Sequence, residues 1–462
     1  LLEALGEAEA GTAESGEVAS AVLEAERSDL TAPSVAAVAL RQLAGGREPL
    51  AVAGAWGGAA GRTPLEGLAF VIDPVGAEVA WIPAAILADP SVISALAELV
   101  ASGGRPLVAH DAKALIRGLH QLDVDVRTLG LDTMIAAYLL DPAEARYALE
   151  VLLDRYAGAR LPGDDGPAEG ELDFGSDSLD VGQGAARQAL AVDRLIQPLS
   201  EALAARGLSA LNDDIEVPLV RVLARMEIVG VGVDVAELRR LSDELVSRCD
   251  ELRVQICEDA GEEFNVNSTV KLREILFDRL GLTPQKKTKT GYSTDAASLE
   301  KLRGQHPIIE HLLSYREVEK LRSTYGEGLL AEVAPDGRIH ATFNQTVART
   351  GRLSSDAPNL HNIPVRSEVG RAFRKAFVPA EGFRLLIADY NQIELRCIAH
   401  LAEDPGLIAA FESGQDIHTA TAARVFGVDP ATVNVEQRSK AKMVSYGLAY
   451  GMEAYGLGQR LG

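Results

Sequence analysis

The segment Arg384-Leu-Leu-Ile-Ala-Asp389-Tyr-Asn-Gln-Ile-Glu394-Leu-Arg396 constrains this chain most tightly, because a continuous apolar run delivers one carboxylate to the point where the pattern turns helical. Leu385 to Ala388 has the pattern of a strand buried on both faces, with Asp389 at its tip. Asn391 and Glu394 then predict a helix N-cap with its capping-box partner, and Ile393, Cys397, His400 and Leu401 share one helical face. A hard oxygen ligand at a strand tip suits Mg²⁺, which takes one or two carboxylates together with substrate phosphates. Taken alone, Asp389 also fits a turn acid leading into a helix.

A second block follows about fifty residues on, Arg438-Ser-Lys-Ala-Lys442-Met-Val-Ser-Tyr446-Gly-Leu-Ala-Tyr450-Gly451. Arg438, Lys442, Tyr446 and Tyr450 recur at every fourth position, so they form one ridge that drifts only about 40° per step around a helix. Asn434 and Gln437 form a capping-box variant at its start. The two cations therefore lie in the first turns, where the positive end of the helix dipole also favours phosphates. The aromatic rings further along are placed to meet a sugar and a base. By spacing alone the stripe also describes an amphipathic helix with a solvated basic edge and core tyrosines.

Asp389 to Arg396 resembles motif A of the family A DNA polymerases, with Asn391 where Ser is common. Arg438 to Gly451 resembles motif B of the same family, the finger helix that grips the incoming nucleotide. Thr350-Gly-Arg352-Leu-Ser-Ser355 and Pro358-Asn359-Leu-His361-Asn362-Ile-Pro364-Val-Arg366 resemble its palm segment along the primer-template minor groove, with His361 where Gln is usual. Asp416-Ile-His418 and the following Ala420 to Gly427 resemble its first finger helix. The resemblance implies transfer of deoxynucleotides to a primer 3′ end in repair and replication. The 3′-hydroxyl attacks the α-phosphate in line, and two Mg²⁺ ions, with Mn²⁺ a possible substitute, stabilise the attacking and leaving oxygens.

Residue by residue, the resemblance makes Asp389 the catalytic metal ligand, assisted by the Tyr390 carbonyl. Arg438 and Lys442 neutralise the triphosphate, Lys442 also protonating pyrophosphate. His418 lies near the triphosphate, Gln392 and Glu394 belong to the nucleotide pocket, and Tyr446 and Tyr450 pack on sugar and base. Glu394 would crowd the sugar 2′ position, although its capping-box position accounts for it without any such gate. Tyr446 stands where many bacterial relatives carry Phe, which implies ready use of dideoxynucleotides. Arg352, Asn359 and Asn362 would contact the duplex.

At 462 residues the chain is too long for one core and calls for two or three domains. Cys249, Cys257 and Cys397 have neither metal spacing nor a pairing framework, and no apolar stretch reaches a membrane span. These features predict a soluble cytoplasmic protein, and the resemblance adds a nucleoid-associated monomer whose partners are primer-template DNA and deoxynucleoside triphosphates. The net charge of −22 argues against nucleic acid until it is divided. Residues 1–210 hold 14 Lys and Arg against 31 Asp and Glu, a balance of −17, and the remainder holds 31 against 36, a balance of −5. Local cationic patches, not total charge, capture phosphates, so the acidic half is expected to stay off the DNA.

In that half, apolar runs at Phe70–Ile72, Ala80–Ile82 and Leu107–Ala109 alternate with helical patterns, and the stretch from Asp123 reads as a strand leading through Asp132 into a helix. This resembles the 3′→5′ exonuclease domain that precedes the polymerase region in bacterial members of the family. Such an enzyme needs several carboxylates for two metals. Gly54 and Trp56 stand where the family places Asp and Glu, Leu115 occupies another acid position, and the last falls near Leu190. Asp111 and Asp132 remain as acids, expected on the surface, so the domain is predicted to be structural. Gly158 to Asp180 reads as an acidic loop.

Helical patterns at Val235–Ala260, Ser268–Leu280 and His306–Tyr325 resemble the polymerase thumb. Asn267, Ser268 and the cationic Lys286, Lys287 and Lys289 would track the duplex backbone without reading sequence. The fold class expected is α/β and α+β multidomain. An inactive exonuclease-like (RNase H-like) α/β domain spans 1–211, and the helix leading into the palm and the thumb span 212–340. The first part of the palm with motif A spans 341–403, and the N-terminal part of the fingers with motif B spans 404–462. Motif C, a His-Asp-Glu carrying the second catalytic Asp, does not occur in this sequence. The chain accordingly reads as trimmed at both ends, and a non-catalytic primer-template binding fragment is the alternative. A stand-alone exonuclease is disfavoured by the missing acid pair.

Overall fold

Alternation of side chains builds the sheet of the first half. Along Leu50–Trp56 and Leu65–Asp73, Ala51, Ala55, Ala69 and Val71 enter one core while Leu50, Val52, Leu68 and Phe70 enter another. The expected apolar runs lie within Leu65–Asp73, Glu78–Pro83 and Leu107–Ala109. In the computed structural model, which describes residues 21–162, 180–288, 291–365 and 368–461, these strands belong to one sheet of six. Its order is Glu26–Asp29, Glu78–Pro83, Leu65–Asp73, Leu50–Trp56, Leu107–Ala109, Leu129–Asp132, and only Leu65–Asp73 runs against the rest. Helices Thr133–Leu140, Leu149–Ala157 and Val181–Ala205 cover one face, and Pro33–Ala44, Pro90–Leu99 and Ala112–His120 cover the other. Lys289, Arg366 and 163–179 of the acidic loop lie outside the described residues.

Ser209–Leu211, Asn212–Glu216 and Val217–Val229 follow one another as a helical run, and Val220 and Ala224 pack into the core of the first sheet. Gly230 ends it at φ 62°, where an added Cβ would lie 2.7 Å from the Ile339 carbonyl oxygen, so glycine is required twice over. The helix Val235–Ala260 matches its sequence expectation to the residue. Asp234 caps it through the Glu237 amide. Its buried Leu238, Leu241 and Leu245 join Tyr325 and Phe373, while Cys249, Leu252 and Ile256 join Ile308, Leu312 and Tyr315. Ser268 is also a helix cap, accepting from the Lys271 amide, and Lys287–Thr288 pairs with Gly291–Tyr292 as a short hairpin.

Contact density separates the unit Leu1–Gly382 from Phe383–Gly462. Among its described residues the second unit holds helices Ile393–Leu401, Pro405–Glu412, Ile417–Phe426, Val435–Ala449 and Ala454–Leu461. Three expectations fail here. Leu385–Ala388 is not a strand: Leu386 and Ile387 are 92% and 90% exposed, and no described strand pairs with the run. A strand exists only through a ladder partner, which an apolar run cannot supply for itself. Asn391 does not cap the next helix; Gln392 does so in a left-handed conformation (φ 53°) without a side-chain bond, and Glu394 forms no capping box. That helix buries Leu395 and Ala399, leaving Ile393, Cys397, His400 and Leu401 exposed.

Candidate nucleotide and metal site

The helix Val435–Ala449 is built as its sequence prescribes. Asn434 Oδ1 accepts from the Gln437 amide at 2.8 Å and Gln437 Oε1 accepts from the Asn434 amide at 3.0 Å, so two otherwise unpaired donors are satisfied at once. Ala441, Val444 and Gly447 are buried, which turns Arg438 and Lys442 outward and leaves Tyr446 half-buried. Tyr450 is the C-cap, just past the last turn. Ser445 donates back to the Ala441 carbonyl at 3.0 Å.

Around this ridge the structure gathers most of the expected nucleotide residues. Tyr450 donates from its hydroxyl to Glu394 Oε2 at 3.0 Å, so a first-turn acid of the motif A helix meets the end of the motif B helix. The His418 ring lies 6.0 Å from that of Tyr446. Burial pushes the Tyr446 phenol up, and Glu394, Tyr450 and Asp389 push it further. For His418 burial acts first and lowers its pKa. Asp416 opposes this, while Arg438 and Lys442 add to it. Each influence falls off within a few ångströms in this setting. The imidazole is 3% exposed and its Nδ1 has no protein partner.

Asp416 was legible as the start of a finger helix but not as a partner of Arg438. It caps Ile417–Phe426 through the His418 amide at 3.2 Å, accepts from the Thr419 hydroxyl at 2.7 Å and from Arg438 Nε at 2.5 Å. Arg438, first among its partners, holds its carboxyl down to about 2. Asp389, Tyr390 and Asn391 are exposed and Gln392 is half-buried. Among the described residues no group of three or more His, Cys, Asp or Glu is placed to hold a metal, so Asp389 and the Tyr390 carbonyl would need substrate oxygens to complete a coordination shell.

The duplex candidates lie in the first unit. Arg352, Asn359, Asn362, Asn267, Lys286 and Lys287 are exposed. Asn359 precedes the short turn Leu360–Asn362. The Asn362 carbonyl accepts from the Tyr325 hydroxyl, and Lys286 Nζ lies 3.8 Å from Asp295 Oδ2. Asn267 Oδ1 accepts from the Tyr315 hydroxyl at 3.3 Å.

The cleft of the first sheet, about 520 Å³, is lined by Gly54, Trp56, Asp111, Leu115, Gln188 and Val192 among others. A Cβ on Gly54 would meet the Trp56 ring at 2.7 Å, so the indole fills the room an acid at position 54 would take. Leu190 does not face this cleft; it is fully buried in the sheet core, and the helix turns Ala185, Gln188 and Val192 inward instead. Asp132 is not a surface group either. It is 1% exposed and accepts from the amides of Ala112 at 2.7 Å, Met134 at 2.9 Å and Ile135 at 3.4 Å. Burial, then the nearby Asp111, raises its carboxyl to about 7, and burial raises Asp111 as well. Sequence reasoning missed this cap, although an Asp just before a helical apolar run is its usual signal.

A polymerase-type arrangement of this kind defines the class, and comparison with known proteins fixes the family. The family model described as DNA polymerase family A matches residues 235–462, and the polymerase domain of Pol1 from M. smegmatis, solved with DNA primer-template and dNTP, aligns with a TM-score of 0.82. The identity is 37%, covering 94% of this chain and 73% of that one. This chain belongs to family A of the DNA polymerases. It is similar to DNA polymerase I of Geobacillus stearothermophilus (41% identical, 82% of this chain and 43% of that protein) and of Mycobacterium bovis (40%, 85% and 44%). The thermostable DNA polymerase I of Thermus filiformis is 47% identical over 72% of this chain. The chain spans less than half the length of these curated relatives. Among the described residues, no helix is long and apolar enough to cross a membrane.

Proposed function

We propose that this chain carries template-directed DNA polymerisation, adding deoxynucleotides to a primer 3′ end in repair and gap filling between Okazaki fragments. The observation that carries the reading is the Tyr450–Glu394 bond, which joins the helix bearing Arg438 and Lys442 to the helix that follows Asp389. On this reading Arg438 and Lys442 take the triphosphate, with Lys442 placed to give pyrophosphate its proton. Tyr446 and Tyr450 pack on sugar and base, His418 flanks the phosphates, and Gln392 and Glu394 close the sugar side. Asp389 and the Tyr390 carbonyl would hold Mg²⁺, or Mn²⁺ in its place. Bound there, the ion supplies positive charge at the attacked phosphate and a more acidic primer hydroxyl.

Arg352, Asn359, Asn362, Asn267, Ser268 and the lysines at 286, 287 and 289 meet the primer-template, and the working form is a monomer in the cytoplasm, at the nucleoid. The boundaries at 211, 340 and 403 divide exonuclease-like domain, thumb, palm and fingers. A five-stranded array with one reversed strand, extended by Glu26–Asp29, supports an RNase H-like reading of the first domain. The Trp56 ring, lying where a side chain at position 54 would go, supports a loss of proofreading. The Tyr446 hydroxyl supports ready use of dideoxynucleotides, which Tyr446→Phe is expected to reduce by about fivefold, the worth of one hydrogen bond.

Primer extension on a recessed duplex with Mg²⁺ and four deoxynucleotides, beside Asp389→Ala, tests the reading. Extension lost in the variant supports it. Tight duplex binding with no extension by either chain favours the second reading, a primer-template binding fragment, which the single candidate metal carboxylate motivates. Absence of duplex binding overturns both.

A further inference from the structure

The first domain, together with the helical run 212–229 that follows it, grips the segment that leads to Arg352 at several points. Glu227 Oε1 accepts from the Phe343 amide at 2.8 Å and Lys113 donates to the Phe343 carbonyl. Gln345 donates to Glu216 Oε2 at 2.7 Å, and Arg349 reaches the Ala143 carbonyl at 3.4 Å. The last hold is the most specific. The Tyr138 hydroxyl donates to the Ala348 carbonyl at 2.8 Å and accepts from the Gly351 amide at 3.1 Å, so a single oxygen bridges the two ends of the turn that immediately precedes Arg352. The Gly351 amide also lies 3.3 Å from the same carbonyl, with Gly351 at φ 77°.

Tyr138 is itself held firmly. It is 3% exposed, on the helix that buried Asp132 caps. Its ring meets the Tyr147 ring edge-on at 5.9 Å, and Tyr147 donates to the Asp141 carbonyl at 2.7 Å. A buried phenol on a capped helix is a rigid post, whereas the turn it bridges is exposed from Arg349 to Arg352. The order in that turn is imported from the first domain.

We propose that Tyr138 is a positioning residue for primer-template DNA: its hydroxyl closes the 348–351 turn and so fixes the direction in which Arg352 leaves it. This rests on reading the chain as a polymerase whose Arg352 meets the duplex. It gives the exonuclease-like domain a role that needs no nuclease chemistry, since it orders a piece of the polymerase surface.

A double-mutant cycle tests it. Affinity for a fluorescent recessed-primer duplex is measured at fixed salt for the whole chain, Tyr138→Phe, Arg352→Ala and the double variant. Tyr138→Phe keeps the ring and removes only the hydroxyl. It should weaken binding by about three- to tenfold, the range for one or two ordinary hydrogen bonds, and should have no further effect once Arg352 is gone. Hydrogen exchange should quicken only within 346–352. Arg352→Ala weakening binding while Tyr138→Phe does nothing would overturn the inference alone. Equal losses in both backgrounds, or exchange quickened across the helix 133–140, would reduce Tyr138 to a general structural role. Failure of the unmodified chain to bind the duplex would remove the polymerase reading itself.

Discussion

Arg438, the first cation of the ridge, is already committed to Asp416 at 2.5 Å, so on the proposed reading a triphosphate would have to displace a carboxylate before it gained the guanidinium. The pair is roughly half exposed on the Arg438 side, which places its worth at ~0.2–1 kcal/mol. Asp416→Asn keeps the helix cap and removes the competing charge. Nucleotide affinity in the DNA-bound chain should therefore tighten by about two- to fivefold, read by titration with a non-hydrolysable deoxynucleotide. Because the Asp416 carboxyl sits at about 2, the pair is complete above the ordinary carboxylate range and is lost only as pH falls through that value. The gain should hold constant from pH 6 to 9. A gain that disappears between those limits would sink the competition argument.

At the scale of elements, Glu227 ties three segments together. It is 1% exposed, faces Lys113 at 2.7 Å and Arg117, and takes the Phe343 amide. Removing one partner of a buried ion cluster strands the others, so Glu227→Ala should cost ~3–5 kcal/mol in urea unfolding. Asp132 acts in the opposite sense. Its folded carboxyl is raised to about 7, so the folded chain binds more protons than the unfolded one and stability falls as pH rises from about 4 to 7, by at most ~1.4 kcal/mol per unit. Asp132→Asn should flatten that slope, and urea midpoints at pH 5 and 8 would reveal it. The Glu227 role was not legible in the sequence. Glu227 and Lys113 are 114 residues apart, and nothing local marks such a pair. By contrast the Asn434–Gln437 box and the Val235–Ala260 helix were legible because caps and helical period are properties of a few consecutive residues. Leu385–Ala388 misled for the same reason: its apolar run is local, but the ladder a strand needs is not. The sequence named the candidate side chains of the site, whereas the Arg438–Asp416 and Tyr450–Glu394 partnerships that join them were not legible in it.

For the molecule as a whole, the proposed function raises the question of how a chain of net charge −22 would hold a polyanion. Most of the excess lies in residues 1–210, at −17, and the Debye length of about 8 Å at physiological salt confines that repulsion to its own neighbourhood. Binding then depends on a few local cations, each releasing condensed counterions from one phosphate, and the dependence of log K on log salt counts them at about −0.9 each. Lys286 and Lys287 are exposed on the hairpin that pairs with Gly291–Tyr292. Among the described residues, Lys286 has a 3.8 Å approach to Asp295 to compete with a phosphate. Replacing both lysines by Ala should make the salt slope shallower by about 1.8, and should weaken binding alike for duplexes of unrelated sequence, since backbone contacts carry no sequence information. Fluorescence anisotropy between 50 and 200 mM salt, roughly the range over which such contacts are screened, measures the slope directly. An unchanged slope would mean that the hairpin stays clear of the duplex and that the phosphates are counted out elsewhere, with Arg352 the next cation to test.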